Sequence, residues 1–343
     1  MLKKISILFI CVLMVLCAGC KKNSDLSAES SEVSASATQK PEPKPVYYTN
    51  LLTGEKNLSE DVAANRPVAI MINNISVAQA VQTGVNKADI VYETEVEAGI
   101  TRLMAVFQNV GSVGRIGTIR SARYVYVDLA LGHNAVYLHC GQDGTYCAPH
   151  LKDVEHYTVD SGNIGKRISN GLASEHTLYT EGADVYNTYV KGKTSNSTTT
   201  WQTFADENTQ VKLTGGVANK INVPFSASYN TGFDYDSATG KYVRSFRGTT
   251  NKDYVTGETT AVKNVFVLLT PIYNYPDNYH RNVTLSGGDG YYFVNGTYTP
   301  IKWSKGASTN SFKFTNTDGT TLTVNQGNSW VCIANTNVNV GIQ

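Results

Sequence analysis

Three arginines crowd ten residues of the sequence, GRIGTIRSAR (114–123), and three glutamates alternate just upstream in YETEVE (92–97). Arginine forks grip phosphate and carboxylate with two parallel hydrogen bonds. Glutamates at period two share one strand face, where three carboxylates repel unless cations stand opposite. Arg102, Arg120 and Arg123 are the cations at hand. Two readings stay open. One is an internal ion-pair network joining Glu93, Glu95 and Glu97 to these arginines. The other is a cleft lined by the same charges that holds an anion or a partner protein. The glutamates also suggest acid and base work on a glycan or peptide of the cell wall. Neighbours two apart, about 7 Å along a strand, fit the roughly 5–10 Å between glycosidase carboxyls, whereas Glu93 and Glu97 at about 13 Å do not.

These charges need elements to place them. RPVAIMINN (66–74) reads as a strand, an apolar run after proline. Residues 89–97 and 101–108 read as the arms of a hairpin that turns at Ala98-Gly99. SARYVYVDLAL (121–131) reads as a helix capped by Ser121 and stopped by Gly132, which puts Arg120 and Arg123 at its N-terminal end. Positive partial charge gathers there, so something negative must compensate. NAVYLHCG (134–141) returns as a strand, and 180–192 reads as a helix capped by Thr180. The fold class is α+β: a mixed α/β N-terminal domain over 49–205, then an all-β domain over 215–343, a small barrel or sandwich of short alternating runs. Turns such as Asn295-Gly296 and Asp318-Gly319 punctuate those runs.

The chain opens MLKKISILFICVLMVLCAGC, with Lys3 and Lys4 before the apolar stretch 5–16 and small residues before Cys20. That order predicts a signal peptide over 1–19, and a cysteine after Ala-Gly resembles the lipobox of bacterial lipoproteins, with Cys20 as the lipidated residue. Residues 20–48 are rich in Ser, Ala, Glu, Lys and Pro and read as a flexible tether. Loss of Lys3 and Lys4 leaves 27 of the 29 basic residues against 28 acidic ones. A balance so near neutral offers no basic excess for nucleic acid. The expected place is the extracytoplasmic face of the membrane, reached through a lipid.

Standard catalytic signatures are missing: no GxSxG, HExxH, P-loop or GxGxxG pattern occurs. Cys140, Cys147 and His150 suggest a metal at first sight, but His139 and Cys140 on one strand point to opposite faces, which leaves three ligands and no CxxC pair. Neither metal nor cofactor is expected. Cys140 and Cys147 read either as a disulfide or as free thiols. His139 and His176 read as structural histidines or, beside Asn73, Asn74 and Arg167, as proton carriers lining the charged cleft. Tyr235, Tyr242, Arg244, Tyr291, Tyr292 and Trp303 read mainly as core and cross-strand pairs, with a glycan- or peptide-binding face as the other option.

Several stretches together resemble one family. NLLTGE, RPVAIMINN, ADIVYETEVEAGITRLMAVFQN, GRIGTIRSARYVYVDLA, VYLHCG and EHTLYT follow, in order, the N-terminal domain of the YerB-like lipoproteins. FDYDSATGKYVRSFRGTTNKDYVTGE, KNVFVLL and GDGYYFVNGTYTPIKWSK resemble their C-terminal domain. Where those proteins carry His-x-Gly with a small middle residue, this chain has His139-Cys140-Gly141. The resemblance implies a two-domain, lipid-anchored envelope protein of Gram-positive type, and the family carries no assigned reaction. A binding or scaffolding module for an anionic envelope component or a protein partner is expected, with a wall hydrolase as the alternative.

Overall fold

The computed structural model describes residues 46–343 apart from positions 196 and 198. The expected signal peptide, Cys20 and the tether as far as residue 45 lie outside the described residues. Val68–Asn73 (β1) is buried along its whole length, as an unbroken apolar run in mid-sheet requires. Val68, Ile70 and Ile72 fill one core and Ala69 and Met71 the other. Ile90–Glu97 (β2) and Ile100–Phe107 (β3) form the expected hairpin. Ala98 and Gly99 turn it at φ 47° and 75°, the two left-handed residues of a type I′ turn. The ladder slips between Glu95 and Glu97, and such a bulge takes the last carboxylate out of strict alternation.

Val136–His139 (β4) runs parallel to β1, and His156–Thr158 (β5) parallel to β4. The N-terminal region is thus α/β-like and the C-terminal region β-rich. The C-terminal strands are divided mainly between two sheets, however, and only one of these is theirs alone. Asn230–Asp236 (β6) and Lys241–Phe246 (β7) lie in a six-stranded sheet. Asn264–Thr270 (β8), Gly287–Val294 (β9), Thr297–Ser304 (β10) and Ser329–Asn335 (β11) join the N-terminal strands in an eleven-stranded one. Strand β11 lies between β8 and β2 and runs parallel to both. A late strand therefore stitches the two regions together, and residues 46–343 form one compact unit. The six-stranded sheet packs Ile221, Phe233 and Tyr242 onto Val91, Leu103, Val265 and Trp330. The opposite face of the large sheet is covered by the helix Tyr124–Gly132 (α1) and by Trp201, Phe312 and Phe314.

Two expected helices begin elsewhere. Arg123, not Ser121, precedes the first turn of α1. Residues 119–123 are held extended instead, because Arg120 N–H bonds Met71 O and Ala122 N–H bonds Gly141 O across the ends of β1 and β4. Gly132, expected as the stop, is the last residue of α1, with His133 as its C-cap, and glycine is needed there because a Cβ would sit 2.7 Å from Asn310 O. Thr180 belongs to the strand Leu178–Glu181 and spends its hydroxyl on Ile164 O. The helix after it starts beyond Glu181, which makes no side-chain cap bond, runs Gly182–Val185 and continues as a π turn over Tyr186–Val190.

Candidate functional site

The three glutamates do not line one cleft. Each is buried, and each has its own arginine. Glu93 and Arg244 are both fully buried, with Nη2 3.4 Å from Oε2. Asn74, Thr101 and Thr231 donate to Glu93 Oε1 at 2.9, 3.0 and 2.8 Å, and Trp330 Nε1 donates to Oε2 at 3.1 Å. The Arg244 guanidinium lies 4.4 Å over the Trp330 ring. Strands β2, β6, β7 and β11 thus meet at one carboxylate. Glu95 accepts from Arg281 Nε at 3.2 Å; burial, opposed by Arg281, leaves its carboxyl raised.

Glu97 holds two cations. Arg123 donates Nε and Nη2 to its two oxygens at 2.8 and 2.7 Å, and Arg102 Nη2 adds a third bond at 2.7 Å. Burial by itself would raise this carboxyl, but the two guanidiniums hold it below its usual 4.5. Arg102 is pushed down to about 10, first by burial and then by Arg123 beside it.

Arg120 goes its own way. It pairs at 2.8 Å with the exposed Glu175, which also meets His176 Nε2 at 3.3 Å, and Asn73 Nδ2 lies 3.1 Å from His176 Nδ1. The sequence grouping of Arg102, Arg120 and Arg123 therefore splits, and Arg244 and Arg281, absent from it, supply two of the pairs. His139 stands apart from His176: its Nδ1 meets Gly141 O at 2.8 Å and its Nε2 meets His156 Nδ1 at 3.0 Å. Arg167 is exposed and its guanidinium bonds Ser174 O. Tyr242, Tyr292 and Trp303 are buried, so no glycan-binding face forms from that set.

Burial pushes His139 down to about 4 and His133 to about 3. The unfolded chain then takes up these protons first as pH falls, so stability present at pH 7 declines from about pH 6.5 toward 4. Substituting His139 by asparagine should flatten that decline by up to about 3 kcal/mol, at roughly 1.4 kcal/mol per pKa unit. Urea unfolding at pH 7, 5.5 and 4.5 checks it; an unchanged slope refutes it.

Cys140, Cys147 and Cys332 are free thiols, and burial raises Cys147 to about 12. Among the described residues no group of His, Cys, Asp and Glu is arranged to hold a metal. An open pocket of about 750 Å³ lies elsewhere, where residues 76–80 meet residues 246–257. Arg247 and Lys252 line it, and neither has an acidic partner among the described residues. Its floor carries Gln79 and Asn251, which bond each other and reach the buried pair through Asn74 and Arg244.

No helix among the described residues is long and apolar enough to cross a membrane. A Bacillus subtilis (strain 168) protein described as "Putative lipoprotein YerB" is 29% identical over 277 residues, covering 74% of this chain and 77% of that one. The crystal structure of YerB from Bacillus subtilis shares the fold, with a TM-score of 0.71 over 86% of this chain and 99% of that chain at 24% identity. Residues 52–195 match the N-terminal domain, and residues 221–331 the C-terminal domain, of the proteins of unknown function DUF3048. With both domains present in order, the chain belongs to the DUF3048 family of YerB-like proteins.

Proposed function

We propose that this protein is a binding module of the extracytoplasmic face, anchored through a lipid on Cys20 and a tether over 20–48, that holds an anionic envelope component without cleaving it. The name of the Bacillus relative supports the lipoprotein part. The binding part rests on how charge is distributed. Glu93, Glu95 and Glu97 are buried against arginines, whereas Arg247 and Lys252 face an open pocket without forming an ion pair and outnumber its one acid, Asp253. A hydrolytic pair needs two carboxyls within reach of one substrate and of water. Here the carboxyls point to separate partners in the interior, which disfavours the hydrolase alternative.

Thermal unfolding of the full chain in detergent, across phosphates, teichoic-acid fragments and peptidoglycan fragments, tests this. A ligand present at about 100 times its Kd adds about 2.7 kcal/mol, a readily measured rise in midpoint. The rise should vanish in Arg247→Ala/Lys252→Ala. Release of product from a wall fragment, abolished by Glu95→Gln, would establish the hydrolase instead.

A further inference from the structure

We propose that the pocket between residues 76–80 and 246–257 is a site for a phosphorylated sugar, with the phosphate on Arg247 and Lys252 and the ring against Tyr254. This deepens the binding reading and rests on it. The first observation is conformational. Arg247 and Gly248 form the two-residue turn between β7 and Thr249–Thr250, with φ of 50° and 78°. Asparagine, aspartate and glycine suit the first of these positions, and the chain places asparagine in the matching turn at Asn295-Gly296, φ 52° and 71°. An arginine held in the left-handed region is a local cost, and such costs gather at sites of function. Its Nη1 is held at 3.0 Å by the hydroxyl of Ser76, a neutral partner that leaves the charge uncompensated.

The second observation is the balance of charge. Asp253 lies in the pocket wall, but its carboxylate already accepts from Thr83 Oγ1 and from the N–H groups of Gly84, Val255 and Thr256. Those donors are neutral and leave its charge in place, so two cations face one carboxylate and the pocket keeps a net positive charge, which suits a phosphate monoester with nearly two negative charges at neutral pH. The third observation is size. A volume of about 750 Å³ lies in the range of sites for whole small molecules, far beyond one phosphate ion. Tyr254, 45% exposed, offers a ring face at its edge, the kind of surface on which a sugar's apolar side packs. The buried network behind Gln79 and Asn251 fixes the floor.

Calorimetric titration of the full chain in detergent with glucose 1-phosphate, N-acetylglucosamine 1-phosphate, inorganic phosphate and glucose tests the assignment. At least one sugar phosphate should bind tenfold or more tightly than phosphate or glucose. Arg247→Asn should weaken it at least tenfold while the unfolding midpoint holds or rises, because asparagine fits the turn. Equal binding of inorganic phosphate would remove the sugar. Binding of glucose that ignores Arg247→Asn would remove the phosphate. In both cases the binding-module reading survives. Silence from all four probes overturns this assignment, and the broader reading falls with it only if the wall-fragment panel is silent too.

Discussion

Arg244→Met should lower the unfolding free energy by about 3–5 kcal/mol, the usual penalty for stranding one member of a buried ion pair. The side chain it replaces is fully buried, and so is its partner Glu93. Methionine fills much of the volume and can lie on Trp330, so packing loss is small. What remains is a carboxylate enclosed by Asn74, Thr101, Thr231 and Trp330 with no cation. Removing the charge as well, in Glu93→Gln/Arg244→Met, should recover at least about 1 kcal/mol, a coupling within the range seen for contacting groups. Urea unfolding followed by tryptophan fluorescence measures both. Because Glu93 joins strands from both matched regions, the loss should appear as an earlier single transition. A single variant within about 1 kcal/mol of wild type would show that the pair does not hold the seam.

Part of this was legible in the sequence. The hairpin was, because two alternating arms around Ala98-Gly99 are a local signal. So was the need of three glutamates for cations, which follows from charge alone. The identity of those cations was legible only in part: Arg102 and Arg123 do answer Glu97, but Arg120 pairs with Glu175, and proximity along the chain hid the partners of Glu93 and Glu95. Arg244 lies 151 positions from Glu93 and Arg281 lies 186 from Glu95. One clue was present: Tyr242, Arg244 and Phe246 fall at period two on one strand face, so a cation between two inward aromatics must be buried and must find an acid. The start of α1 was misplaced for a related reason. Ser121 looks like a cap locally, yet β1 and β4 capture the backbone around it through Met71 O and Gly141 O. Tertiary hydrogen bonds outweighed a capping preference of about 1 kcal/mol.

The second large effect separates arginines that look alike in RSAR. Glu97→Gln should cost about 3–5 kcal/mol, because it leaves two guanidiniums, one of them fully enclosed, without an anion between them. Arg123→Ala, which removes a two-pronged contact but leaves Arg102 to pair with Glu97, should cost about 1.5–3 kcal/mol. Arg120→Ala should stay within about 1 kcal/mol of wild type, since its partner Glu175 is exposed. The pH dependence gives a second handle. Glu97 is held below its unfolded value, so between the two values the unfolded chain binds the extra proton and stability rises with pH. Its contribution is complete above the pH at which the unfolded carboxyl titrates and is lost as pH falls through the depressed value. The gap between wild type and Glu97→Gln should therefore be widest near neutrality and narrow on acidification. A gap that stays constant from pH 7 to pH 3.5, or an Arg120→Ala variant as unstable as Arg123→Ala, would mean that Glu97 is not the anion these arginines answer.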